Sequence, residues 1–273
     1  MTPDFISNDA LFSLYQGDCN TLLPYFKDCF DLIFADPPYF LSNDGLSIQS
    51  GKIVSVNKGL WDKSVDDIDA FNFNWLNNAK LALKNTGSIL ISGTYHNIFS
   101  LGTMLQKLDF KILNIITWQK TNPPPNFSCR YLTHSAEQII WARKSQKHKH
   151  IFNYEILKAL NNNKQMRDIW TFPAIAPWEK NCGKHPTQKP LKLLVRLLLM
   201  ASNENSIICD PFSGSSSTGI AANILKRKFI GFEKESEFIK ISIARKQELD
   251  KNFNAFYRKI DDLKINFKQK NLF

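Results

Sequence analysis

Two short runs carry residue types that can do chemistry. The first is Asp36-Pro37-Pro38-Tyr39. An exocyclic amine on a nucleobase is a weak nucleophile, because its lone pair is delocalised into the ring. Two acceptors aimed at its N–H bonds return electron density to nitrogen and orient it. The Asp36 carboxylate can be one acceptor and the Pro37 carbonyl the other. Each proline fixes its own φ, and Pro38 also restricts Pro37, so the carbonyl is held before the amine arrives. Asp36 can also take the surplus proton as a general base. Tyr39 offers a flat face for stacking on an extruded base.

The second run is Asp210-Pro211-Phe212-Ser213-Gly214-Ser215-Ser216-Ser217-Thr218-Gly219. Small residues between a strand and a helix let a ligand approach the backbone, and the helix start presents free N–H groups. Glu233 follows Gly214 by 19 residues, close to the roughly 20-residue interval of a βαβ turn. A carboxylate there can accept both ribose hydroxyls of an adenosine. The dinucleotide fingerprint GxGxxG fails at Ser216, which counts against NAD. Taken singly, each run also reads as a rigid or serine-rich turn ending a strand. The methyl donor such a pair suggests, a sulfonium, is its own electrophile and requires no metal.

The elements that must hold these runs are legible as apolar stretches. Asp31–Ala35 reads as a buried strand ending at the first run, and 206–210 as another ending at the second. Further strands are expected at 88–92, 110–118, 139–142 and 228–232, with helices at 66–84, 98–108, 189–202 and from 236 onward. Residues 40–63 read as a long loop able to close over a base, and 143–185 break the alternation. Strands alternating with helices imply a doubly wound, mostly parallel α/β sheet with an inserted, less regular segment.

The bulk properties bound the function. Hydrophobic residues make up 43 % of 273, as a packed globular chain requires. There is no apolar run long enough for a membrane span, and Met1–Ala10 does not read as a secretory signal. Five dispersed cysteines with no CxxC pair suggest neither disulfides nor zinc and fit a reducing cytoplasm. The net charge of +10, from 35 Lys+Arg against 25 Asp+Glu, suits a polyanion such as nucleic acid, or simple solubility.

Together, Asp-Pro-Pro-Tyr and Asp-Pro-Phe-x-Gly resemble the motifs of the DNA amino-methyltransferases. The catalytic run precedes the cofactor run, as in the permuted β group of N6-adenine enzymes. His185-Pro186-Thr187-Gln188-Lys189-Pro190 is similar to the segment that leads into the cofactor turn in that group. Longer stretches, FADPPYFLSN and GKHPTQKP among them, resemble the second methylases of DpnII-type restriction systems over nearly the whole chain. The resemblance implies a Rossmann-like fold with circularly permuted order, S-adenosylmethionine as cofactor, and GATC as target in duplex and single-stranded DNA. It implies that Asp18 and Cys19 approach the cofactor adenine, that Phe212, Gly214 and Ser215 line its pocket beside Asp36, that Glu233 takes the ribose, and that Thr187 and Lys189 lie near the methionine carboxylate. One departure stands out: Ser216 replaces a usual glycine, which is costly if that position needs positive φ.

The implied organisation is a catalytic half at 1–118, a target-recognition segment at 119–184, a cofactor half at 185–250 and a basic helical tail at 251–273. Lys120, Asn122, Arg130, Lys164 and Arg167 are the candidate DNA contacts, because Arg and Asn can read base edges while Lys mostly neutralises phosphates. Trp141, Trp170 and Trp178 read as core, His134 and His185 as structural. Expected partners are DNA, a restriction endonuclease for the same site and a second copy of the chain. N4-cytosine methylation remains open, although related N4 enzymes tend to carry Ser where Asp36 stands. So does a DNA-binding protein of this fold with little activity, and an RNA adenine methyltransferase.

Overall fold

The computed structural model describes residues 1–40, 46–49, 52–55, 67–126, 128–183 and 185–260. The strands are β1 (Phe5–Ile6), β2 (Phe12–Gln16), β3 (Phe30–Ala35), β4 (Leu46–Gln49), β5 (Lys52–Ser55), β6 (Leu83–Gly93), β7 (Lys111–Lys120), β8 (Ala136–Arg143), β9 (Ile169–Phe172), β10 (Ile207–Asp210) and β11 (Lys228–Glu233). The helices are α1 (Cys19–Leu22), α2 (Ile68–Ala82), α3 (Ile98–Lys107), α4 (Tyr154–Leu160), α5 (Leu191–Ala201), α6 (Ser217–Ile224) and α7 (Ser236–Ile260).

Nine strands form one sheet in the order β1-β2-β11-β10-β3-β6-β8-β7-β9. The pairs from β2 to β6 are parallel, and β8 runs antiparallel between β6 and β7. The chain passes from β3 towards β6 and from β10 towards β11, so the crossovers diverge between β3 and β10. Ligands bind at such a switch point, outside the carboxyl ends of the strands. Asp36 and the 211–219 turn leave the sheet at these ends. The strands there are buried on both faces: Leu32, Ile33 and Ile208 are inaccessible to solvent. One core joins the sheet to α5, α6 and α7, the other to α2 and α3.

The expected α/β architecture is the observed one. Five strands among the described residues, β1, β2, β4, β5 and β9, fall where none was expected. β2 was hidden by the serine and tyrosine that alternate with its apolar residues. β9 lies in the irregular stretch, where Trp170 and Phe172 alternate with the exposed Ile169 and Thr171. The antiparallel β4–β5 hairpin lies within the expected 40–63 loop; the rest of that loop beyond residue 40, like Lys184 and the tail after residue 260, lies outside the described residues. Among the described residues, no helix is long and apolar enough to cross a membrane.

Candidate active site

A cavity of about 620 Å³ opens at the carboxyl ends of β2, β11, β10 and β3. All nine residues expected around a cofactor border it: Asp18, Cys19, Asp36, Thr187, Lys189, Phe212, Gly214, Ser215 and Glu233. Asp36 therefore faces the same space as Gly214 and Glu233, although 174 residues separate it from Asp210.

At one end, acidic side chains are fixed by backbone groups. The Glu233 carboxylate accepts N–H bonds from Gly214 at 2.7 Å and Glu235 at 2.9 Å. Each oxygen keeps a second lone pair for another donor. Burial raises the Glu233 pKa against those bonds. Asp210 accepts from the Phe212 N–H at 3.0 Å and the Thr218 hydroxyl at 2.6 Å. Burial, reinforced by Asp36 and Glu233, still pushes its pKa up to about 7. Asp18 caps α1 by accepting from the Asn20 N–H at 2.7 Å and pairs with Lys234 at 2.5 Å. The Cys19 thiol is pushed up to about 12 by burial and by Asp18, so it stays neutral.

Gly214 has φ +50°, and a Cβ there would lie 2.9 Å from the His185 ring nitrogen. Glycine is thus required by conformation and by space. Ser216 has φ +55°, the left-handed conformation that penalises a side chain. Its hydroxyl is buried and bonded to Ser213 at 2.7 Å and to Ser242 at 2.8 Å, which offsets part of that strain.

At the other end, charged side chains hold one another. Asp36 Oδ2 is 2.6 Å from Lys189 Nζ, and Oδ1 accepts from the Tyr39 hydroxyl at 2.7 Å. That hydroxyl is 3.1 Å from Ser92 Oγ. Glu137, near the start of β8, pairs with Lys120 at 2.6 Å through Oε1 and lies 3.5 Å from Lys189 through Oε2. Burial alone would lower the Lys189 pKa; Asp36 and Glu137 outweigh it and hold the ammonium charged.

The remaining expected residues are placed unevenly around this cavity. Tyr39 presents no open face for stacking: its ring is 8 % exposed, and Lys189 Nζ stands 5.5 Å over it. The hydroxyl explains the inward pose, since a buried phenol needs a partner. Lys189 borders the cavity, but its charge is turned to Asp36 rather than left open for a ligand carboxylate. Lys120 is engaged by Glu137 and so is not a free phosphate contact. Asn122 is exposed and accepts from the Ala174 N–H at 2.9 Å, and Arg130 is exposed. Lys164 and Arg167 are exposed too, but Arg167 borders a separate cleft of about 70 Å³ with Asn114 and Met200. Trp141 and Trp170 are core, and Trp178 packs against it. His185 is more than a structural histidine, since it lines the cavity itself. The sequence does not single out Glu137 or Ser92, which sit at the polar ends of strands whose middles are apolar.

The family model described as DNA methylase matches residues 30–244. This chain belongs to that family. It is 53 % identical over 262 residues to the type II methyltransferase M2.MboI of Moraxella bovis, covering 94 % of this chain and 96 % of that one. It is 48 % identical over 248 residues to the type II methyltransferase M2.DpnII of Streptococcus pneumoniae, covering 90 % and 92 %. Among solved structures, the M1.HpyAVI–SAM complex matches with a TM-score of 0.65 at 28 % identity, covering 86 % of this chain and 98 % of that one. The cytosine-N4-specific PvuII methyltransferase matches with a TM-score of 0.68, 88 % of this chain and 87 % of that one; at 21 % identity it supports the fold alone.

Proposed function

We propose that this DNA methylase transfers the methyl group of S-adenosylmethionine to N6 of an adenine extruded from GATC. The observation that carries the reading is that Asp36, followed by two prolines, shares one cavity with the Gly214 turn and Glu233. The cavity suits this cofactor. Its volume lies in the usual range for small-molecule sites. Its lining holds five carboxylates, Asp18, Asp36, Asp210, Glu233 and Glu235, against Lys189 and Lys234, which favours a cationic sulfonium.

S-adenosylmethionine supplies the methyl group as an electrophile when bound. Glu233 would take the ribose, Asp18, Cys19 and Phe212 the adenine, and Gly214, Ser215 and Thr187 the remainder. Asp36 and the Pro37 carbonyl accept the two N–H bonds of the target amine, and Pro38 fixes that carbonyl. Asp36 then takes the proton that methylated nitrogen must lose. The acid in place of serine favours adenine over cytosine N4.

In this reading 1–118 is the catalytic half, 119–184 the target-recognition segment, with Asn122, Arg130, Lys164 and Arg167 as DNA contacts, 185–250 the cofactor half and 251–273 a basic helical tail. DNA is the partner, as duplex or single strand. A restriction endonuclease for the same site, a homodimer and a cytoplasmic location complete the proposal.

The test is transfer of tritiated methyl groups to a GATC duplex, with Asp36→Ala as control. Label in adenine that vanishes in the variant supports the reading. Label in cytosine, or DNA binding without transfer, refutes it.

A further inference from the structure

Both oxygens of Asp36 already have a partner, Tyr39 on Oδ1 and Lys189 on Oδ2, so an incoming amine must share them or displace one. Its Oδ2 is held by a buried ammonium at 2.6 Å, and its side chain is 13 % exposed. A full positive charge is also badly placed there. Methyl transfer puts positive charge on the target nitrogen, and like charges a few ångströms apart repel strongly in a buried site.

A second seat for that ammonium exists. Glu137 Oε2 is buried and lies 3.5 Å from Lys189 Nζ, a longer contact than the 2.6 Å that Lys189 makes to Asp36. A contact of that length is the weaker of the two that the ammonium makes, and it can tighten. Its sister oxygen is fixed by Lys120 at 2.6 Å, so the carboxylate cannot swing away. Register brings it here: Gln138 opposes Gly93, which puts Glu137 beside the carboxyl end of β6, near Ser92. The charges form an alternating row, Lys120, Glu137, Lys189, Asp36. A shift of Lys189 by under about 1 Å would turn the 3.5 Å separation into an ordinary charged hydrogen bond.

We propose that Glu137 is a positioning residue that draws Lys189 off Asp36 when the target amine arrives, freeing Asp36 Oδ2 to accept its N–H. Glu137 touches neither substrate nor cofactor; it acts through Lys189. This rests on the reading of Asp36 as the acceptor for the amine.

The test is a double-mutant cycle of Glu137→Gln and Lys189→Met in the full chain. It is read by single-turnover and steady-state methylation of duplex DNA, by DNA affinity from fluorescence anisotropy, and by thermal midpoint. Glu137→Gln is expected to lower kcat at least tenfold while KM and Kd for DNA move less than about threefold, a split that a structural role would not produce. In the Lys189→Met background the same substitution is expected to change kcat less than about threefold, because the residue it acts through is gone. An unchanged kcat in folded Glu137→Gln, or an equal loss in both backgrounds, overturns the proposal. If Glu137→Gln fails to fold, the charge-balanced double variant decides. A rate matching Lys189→Met supports the proposal, and a rate tenfold lower overturns it. Wild-type protein that leaves adenine unmethylated would instead defeat the functional reading beneath it.

Discussion

The two ends of the cavity hold their carboxylates by different means. At the Gly214 end, Glu233 is gripped by two backbone N–H groups, and Asp210 by a backbone N–H and the Thr218 hydroxyl. Such donors are placed by the fold and stay put. At the Asp36 end, the donors are the tips of Lys189 and Tyr39. Those are carried on side chains, not on the backbone. In the proposed mechanism, one end holds a ligand in a preset shape and the other exchanges partners during a reaction.

The largest expected effect would break the reactive end alone. Asp36→Ala should reduce methyl transfer on the order of 10³-fold, within the span of lost acid–base help, while cofactor affinity by calorimetry stays within about threefold. An equal fall in affinity would mean that the two ends are one unit. Next, Glu233→Ala should weaken cofactor binding by about 10- to 100-fold, the cost of losing charged hydrogen bonds, with kcat largely recovered at saturation. Measuring kcat and KM separately checks it.

A smaller effect concerns pH. Asp210 has its pKa raised to about 7 by burial, against 3.8 for an ordinary aspartate. The folded chain therefore binds this proton more tightly than the unfolded chain. The contribution to stability is complete below about pH 4 and is lost as pH rises towards 7. The slope approaches about 1.4 kcal/mol per pH unit between those values. Urea unfolding from pH 5 to 8 should show it, and Asp210→Asn should flatten it. The smallest effect is at Ser216. Glycine there would relieve about 1–2 kcal/mol of left-handed strain. It would also remove two hydroxyl bonds, each contributing about 0.5–1.5 kcal/mol. Ser216→Gly should therefore move stability by no more than about 2 kcal/mol, read from thermal or urea unfolding.

The same contrast decides what could be read in the sequence. The cofactor end is local: a strand, a turn of small residues and an acid one βαβ unit on, all within 24 residues from Asp210 to Glu233. Every part was legible, including the positive φ feared at Ser216. The Asp36 end is non-local. Lys189 meets Asp36 across 153 residues, and Glu137 reaches them through the antiparallel register of β8. Sequence spacing carries no trace of that meeting, nor of the pairing of Lys120 with Glu137. The inward pose of Tyr39 is non-local too, since Ser92, one of the partners of its hydroxyl, lies on another strand. Short strands with mixed faces, β2 and β9, also escaped because period-2 alternation over four or five residues is a weak signal.

The central claim is that Asp36 activates an adenine amine at this cavity. The most direct measurement is methylation of a sequence-randomised DNA pool, followed by modified-base sequencing. N6-methyladenine confined to GATC, and absent with Asp36→Ala, is the expected result. N4-methylcytosine, or adenine methylation that survives Asp36→Ala, would contradict it.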